Sequence, residues 1–574
     1  MSTTPPSPDP RVGLKAGWFD AGIAAWNMRL VSTTRPSKDF INPSTPGDAR
    51  LKNSDITFVG NYAIQGNYSG WQVWDISNPA APVLKTSFVC PGSQSDVSVY
   101  ANLLFVSGES TSGRLDCGTQ GVADTVSHDR LRGIRIFDIS DITRPKYIAN
   151  VQTCRGSHTH TVVNDPDDKA NVYLYVSGSA GVRSPNELPG CSSAMPSEDP
   201  GSALFRIEVI RVPLAAPQQA RIVSSPRIFT DLAAPPRHAE PTDSAAQARA
   251  ANRPQRPGAG RPRTGPTQCH DITVYPAIGL AGGACGGYGL LLDISDAANP
   301  VRIGAVADSN FSFWHSATFS NDGSKILFTD EWGGGTQPRC RATDKYEWGA
   351  NALFTLADKK MTFRSYYKMP AAQTAFENCV AHNGSLIPIP GRDVMVQGWY
   401  QGGISVFDWT DIDHPKEIAY FDRGPMDSTQ LVSAGSWSVY WYNGHMISSE
   451  IARGLDIFDL MPSGFLTQNE IDAAKTVRFD LLNAQEQTRI VWPPSFVLAR
   501  AYLDQLARSN GLPAARIAAV RAEIGRVEGL AGSGRRDALI ALGAQLHSDA
   551  RGSADEAKVH TLARAVDALA ASQR

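Results

Sequence analysis

Trp74-Asp-Ile-Ser-Asn-Pro-Ala-Ala-Pro82 returns along the chain as Phe137-Asp-Ile-Ser-Asp-Ile-Thr-Arg-Pro145, Leu292-Asp-Ile-Ser-Asp-Ala-Ala-Asn-Pro300 and Phe407-Asp-Trp-Thr-Asp-Ile-Asp-His-Pro415. Each copy ends an alternating apolar strand. The acidic and hydroxyl side chains that follow can bond turn amides, and the proline blocks further strand pairing. A further strand comes next, such as Val83 to Phe88 or Lys416 to Phe421. Upstream lies another strand pair, whose first member reads apolar–Ser/Thr–apolar: Ile56-Thr57-Phe58, Val97-Ser98-Val99, Ile272-Thr273-Val274, Ala317-Thr318-Phe319. The unit is four antiparallel strands repeated every roughly forty to seventy residues, which predicts propeller blades.

Seven units begin near Ser54, Ser95, His158, His270, His315, His382 and Ser436. The expected fold is all-β: a seven-bladed β-propeller over residues 23–465, after an N-terminal extension of residues 1–22. The seventh unit lacks a fourth strand, and Trp26 to Pro36 is expected to supply it, closing the ring without an exposed edge. Residues 233–268 form a Pro/Arg-rich insert with the composition of a disordered linker. Residues 466–574 form a helical region. Four amphipathic helices are expected there, the last opened by a capping box from Ser553 to Glu556.

Composition agrees with one large β structure. A length of 574 residues suggests about four domains. However, 50 glycines and 38 prolines with only 19% charged residues fit many short strands and tight turns better. The 54 basic and 56 acidic residues leave a formal charge of −2, so no global field attracts nucleic acid. No apolar run is long enough to span a bilayer. Eight cysteines without CxxC spacing, mostly in Gly/Ser/Pro-rich segments, suit disulfides and an oxidising compartment, periplasmic or extracellular. The pairing is not readable, and the N-terminus shows no signal-peptide pattern.

The histidines keep register with the repeat. His270, His315 and His382 each stand immediately before the first-strand motif, and His158 holds that place in the third unit, with His160 two residues on. Ser54, Ser95 and Ser436 take the position in the other three. First strands line the channel of a propeller, so four imidazoles should converge on its axis. Neutral imidazoles suit iron or copper, with zinc less favoured. Either His158 or His160 can face the axis. Glu109, Asp330, Glu331 and Glu450, at second-strand ends, are candidates to accept the outward N–H of a ligating histidine. Trp314, Trp332 and Trp399 are candidates to wall an apolar pocket. No GxSxG, Walker loop or dinucleotide fingerprint is present.

The strand-plus-turn units, such as Ile134-Arg-Ile-Phe-Asp-Ile-Ser-Asp141 and Leu290-Leu-Leu-Asp-Ile-Ser-Asp296, resemble those of LVIVD-repeat β-propeller proteins of bacteria. The likeness runs from about Trp26 to Leu460 and implies export. The histidine pattern is similar to that of carotenoid-cleaving oxygenases, whose axial iron is held by four histidines. It is also similar to that of selenium-binding propellers with methanethiol oxidase activity, where His270-Asp-Ile-Thr273 carries the likeness. These resemblances imply a metal-dependent oxidoreductase acting on a small molecule, with O₂ as a candidate co-substrate. Two other readings remain. One is a non-catalytic propeller that binds a protein partner, in part through the C-terminal helices; the other is a zinc hydrolase.

Overall fold

In the computed structural model, residues 3–236 and 268–573 are described. Most of the Pro/Arg-rich insert expected at residues 233–268 lies outside them. Seven antiparallel sheets form the ring. Blades one to six each contribute four consecutive strands, from Asn53–Val59 of blade one to Lys416–Arg423 of blade six. The recurrent turn behaves as its chemistry demands. Asp75, Asp138, Asp293 and Asp408 accept the backbone N–H two residues on, at 2.9–3.1 Å. Asn78, Asp141, Asp296 and Asp411 repeat the device one turn later.

Blade seven has three local strands, Ser436–Tyr442, His445–Glu450 and Gly454–Leu460. Met28–Thr34 completes it, antiparallel to Gly454–Leu460, so the first and last parts of the propeller lock together. The strand just before, Ile23–Trp26, pairs instead with Lys416–Arg423 as a fifth strand of blade six. Asn27, at φ 55°, turns the chain from one blade to the other. Asn and Gly tolerate that left-handed region better than other residues.

The C-terminal region begins with a helix that the amphipathic pattern did not reveal, α1 (Gln468–Lys475), opened by a capping box of Thr467 and Glu470. Leu481–Leu482 then pairs with the first strand of blade one. The next segment crosses the lower mouth of the channel. Asn483 bonds Thr57 and Val99, Gln485 bonds Thr273 and Asp271, and Gln487 bonds both backbone groups of Phe319. These amide side chains stopper the ring from below. Four helices follow: α2 (Phe496–Arg508), α3 (Ala514–Glu528), α4 (Gly532–Ala550) and α5 (Glu556–Ser572). They bury Leu506, Val520, Leu546 and Leu562 in a core of their own. The expected capping box at Ser553 does not form. Asp555 caps α5 instead, accepting from Lys558 N–H, because the helix starts one residue after it.

The helices are fastened to blade six. Buried Glu470 pairs with Arg392 of the propeller and Arg508 of α2, and Gln505 donates to both Glu470 and Pro390 O. A carboxylate shared by two guanidiniums in a buried place has its charge and lone pairs satisfied together.

All eight cysteines are paired: Cys90–Cys117, Cys154–Cys191, Cys269–Cys285 and Cys340–Cys379. The third joins the first two strands of blade four directly beside His270. Among the described residues, no helix is long and apolar enough to cross a membrane. Four disulfides agree with an extracellular or periplasmic setting.

Candidate metal centre

Four of the five candidate histidines meet at the upper end of the channel. His158 and His270 approach with Nε2 atoms 2.8 Å apart. The ring centroids of His270 and His315 are 4.0 Å apart, and those of His315 and His382 4.1 Å. Glu331 completes the group, its carboxylate oxygens 3.7 Å from His315 Nε2 and 3.8 Å from His382 Nε2. Two overlapping triads, His270–Asp271–His315 and His315–Glu331–His382, place donor atoms within 4.8 Å of one another.

The outer nitrogens explain the orientation. His158 Nδ1 lies 2.5 Å from Glu109 Oε1, and His270 Nδ1 lies 3.0 Å from Asp271 Oδ1. His382 Nδ1 donates to the backbone carbonyl of Trp437. Each of these acceptors keeps a proton on Nδ1 and leaves the Nε2 lone pair turned inward. Two lone pairs facing each other at 2.8 Å repel unless a proton or a cation stands between them. Among the described residues, His382 Nε2 is buried with no hydrogen-bond partner, which is costly unless something else satisfies it.

Burial sets the protonation states. It lowers His315 well below the usual histidine value and takes His382 down to about 3. His270 is lowered by burial and by the charge of His158. His158 is raised, because Glu109, with smaller help from Glu331 and Asp271, outweighs the burial penalty. Glu331 is pushed up to about 8 by burial, even though Tyr400 donates to it at 2.5 Å. Three neutral imidazoles, whose lone pairs are free to donate, suit a cation better than an anion at the axis.

His160, the remaining candidate, does not join them. The third blade's first strand runs Thr159–Val163, so His158 precedes it in a loop and escapes strand alternation. Thr159 and Thr161 face blade four, bonding His270 O and Ile272 O. His160 therefore faces blade two, with Nδ1 2.8 Å from Ser107 Oγ.

The acidic candidates divide. Glu109 orients His158, and Glu331 sits among the imidazoles rather than behind them. Asp330 accepts the backbone N–H groups of Ser312, Phe313 and Gly349, shaping the approach to His315 without touching it. Glu450 pairs with Arg453 and accepts from Gly435 N–H. Asp271 and the Trp437 carbonyl act in their place. Asp271 adjoins His270 in sequence, so adjacency was the available signal; nothing local marked the carbonyl.

The three tryptophan candidates leave the cavity to others. Trp314 packs on Phe311 and Phe328, Trp399 lies near Tyr367, and Trp332 packs at a tilt against Trp348. Alternation explains the first: if His315 faces the axis, its neighbour Trp314 faces the space between blades. The cavity above the histidines, about 140 Å³, is walled instead by Phe313, Tyr400, Trp437, Tyr68 and Lys52. The glycine run Gly333–Gly335 is more than a hairpin. A Cβ on Gly335 would lie 2.3 Å from Tyr400 Oη and 2.7 Å from Glu331 Oε1, so the bare backbone is what covers that pair.

The LVIVD repeat model matches residues 47–89, which span the first blade. No curated protein matches the chain. Among solved structures it is similar to the periplasmic gluconolactonase PpgL of Pseudomonas aeruginosa, at 12% identity and TM-score 0.41, over 71% of this chain and 96% of that one. It is also similar to a protein from Lactobacillus plantarum, at 12% identity and TM-score 0.38, over 64% of this chain and 82% of that one. Likenesses this distant decide nothing about the axial site. The chain is a seven-bladed β-propeller that carries the LVIVD repeat.

Proposed function

We propose that the protein is an exported metalloprotein whose axial site holds one iron or copper ion and acts on a small molecule as an oxidoreductase. The observation that carries this reading is the inward convergence of the imidazoles of His158, His270, His315 and His382, three of them tethered through Nδ1. Neutral imidazoles with one carboxylate suit divalent transition metals and offer little to calcium or magnesium. Glu331 departs from the purely histidine set implied by the likeness to carotenoid-cleaving oxygenases.

A bound redox ion would supply the electron transfer. The chain's own residues supply the rest: Glu109, Asp271 and the Trp437 carbonyl hold the rings, and the Tyr400 hydroxyl with the Glu331 carboxyl can keep or release a proton beside them. The amide stopper below and the aromatic wall above limit water. Export is supported by the four disulfides.

Elemental analysis of natively purified protein tests the reading. About one transition metal per chain is expected, and H270A/H315A should lose it while still giving the wild-type circular dichroism spectrum. Wild-type protein that takes up none of iron, copper or zinc would overturn the proposal. Zinc alone would keep the site but redirect the chemistry to hydrolysis.

A further inference from the structure

The cavity has two unlike walls. One is the histidine cluster; the other, from blades seven, one and two, includes Lys52, Tyr68, Gln94 and Ser433. Phe313, Gly334 and Thr336 are exposed at its rim, so a small molecule can enter past them.

Lys52 is the unexplained group. Its side chain is half-buried, and among the described residues its Nζ has no ion-pair or hydrogen-bond partner. Burial alone pulls its ammonium below the usual lysine value, with no neighbouring carboxylate acting to restore it. The two acids nearest the histidines are already engaged: Glu109 accepts from His158 and Ser179, and Glu331 from Tyr400. A half-buried cation without a counter-ion, in the wall of a small cavity, is an arrangement that an anionic ligand would complete.

We propose that the cavity binds a small monocarboxylate, its carboxylate on Lys52 Nζ and its other end toward the histidine cluster. The inference rests on the metal-site reading for the ligand's role as substrate, though not for its binding. A cavity of about 140 Å³ limits the ligand to a few heavy atoms. Tyr68 and Ser433, in the same wall, offer hydroxyl groups to a carboxylate oxygen.

Isothermal titration calorimetry with acetate and pyruvate, against metal-free and cobalt-loaded protein, tests this. K52M should weaken carboxylate binding by about tenfold or more, the scale of one lost charge-assisted hydrogen bond. K52R should retain most of it, and neutral acetamide should not compete. Cobalt content should be the same in wild type and K52M. Carboxylate binding that K52M leaves unchanged, binding of acetamide as tight as acetate, or no carboxylate binding to wild type would overturn the inference. Loss of cobalt binding in the wild type, with Lys52-dependent acetate binding intact, would instead count against the metal site alone.

Discussion

Blades three to six and blades seven, one and two share a core of four antiparallel strands and differ at the repeat position that enters the channel. The first group places histidine at the entry of the channel strand, the second serine. On the histidine side the rings fill the axis and meet one another at hydrogen-bond or stacking distance. On the serine side Ser54 turns aside to Gln94 O and Ser436 to Ser448 Oγ. The cavity opens toward this side, where Lys52, Tyr68 and Ser433 line it from neighbouring loops. A symmetric ring thus acquires a donor wall and an open wall by exchanging an aromatic ring for a hydroxyl. The difference lies in side-chain volume and in lone pairs, not in the fold.

The largest expected effect comes from weakening the histidine side without removing a candidate ligand. E109Q keeps the shape but takes away the charge that fixes His158, and metal affinity should fall about 10–100-fold. Competition with a chromophoric chelator measures it, and an unchanged affinity would show that Glu109 is a bystander.

A smaller effect is expected beneath the serine side. Asp55, which accepts from Tyr440, Asn383 and Ile56 N–H, is pushed up to about 6 by burial. A carboxyl raised in the folded state binds its proton more tightly there than when unfolded. Its contribution is therefore most favourable at or below the ordinary carboxylate range and is lost as pH rises through about 6. The stability advantage of wild type over D55N should shrink by about 2 kcal/mol between pH 4 and pH 7. Urea unfolding at both pH values reads it, and a constant difference would remove Asp55 from the account.

The smallest effect should follow S436A, which deletes one buried hydroxyl pair on the serine side. Metal affinity should stay within about threefold, and stability should fall by about 1 kcal/mol. Loss of metal in S436A would mean that the two halves do not divide the work as their geometry indicates.

Much of this was legible in the chain. The Asp-Ile-Ser-Asp turns declare themselves because each aspartate bonds an amide two residues away, a contact the local sequence contains in full. The register of His270, His315 and His382 was legible for the same reason: a repeat converts sequence position into position on the ring. His158 against His160 was not, because the choice turns on where the strand begins. Trp399 was misplaced because a partner on the adjacent blade, Tyr367, draws it away from the cavity, while Trp314 and Trp332 turn to aromatic neighbours within blade five, Phe328 and Trp348.

By itself, then, the sequence determined the repeat, closure by a strand within Trp26 to Pro36, and three of the four imidazoles that share an axis, since a repeat converts position in the chain into position on the ring. Only the tertiary structure decided that His158 rather than His160 joins those rings, that Glu331 stands among them, that the Trp437 carbonyl orients His382, and that Asn483, Gln485 and Gln487 stopper the channel. It also decided the disulfide pairing and placed Lys52 across from the histidines. These depend on contacts between residues far apart in the chain, which no local pattern encodes.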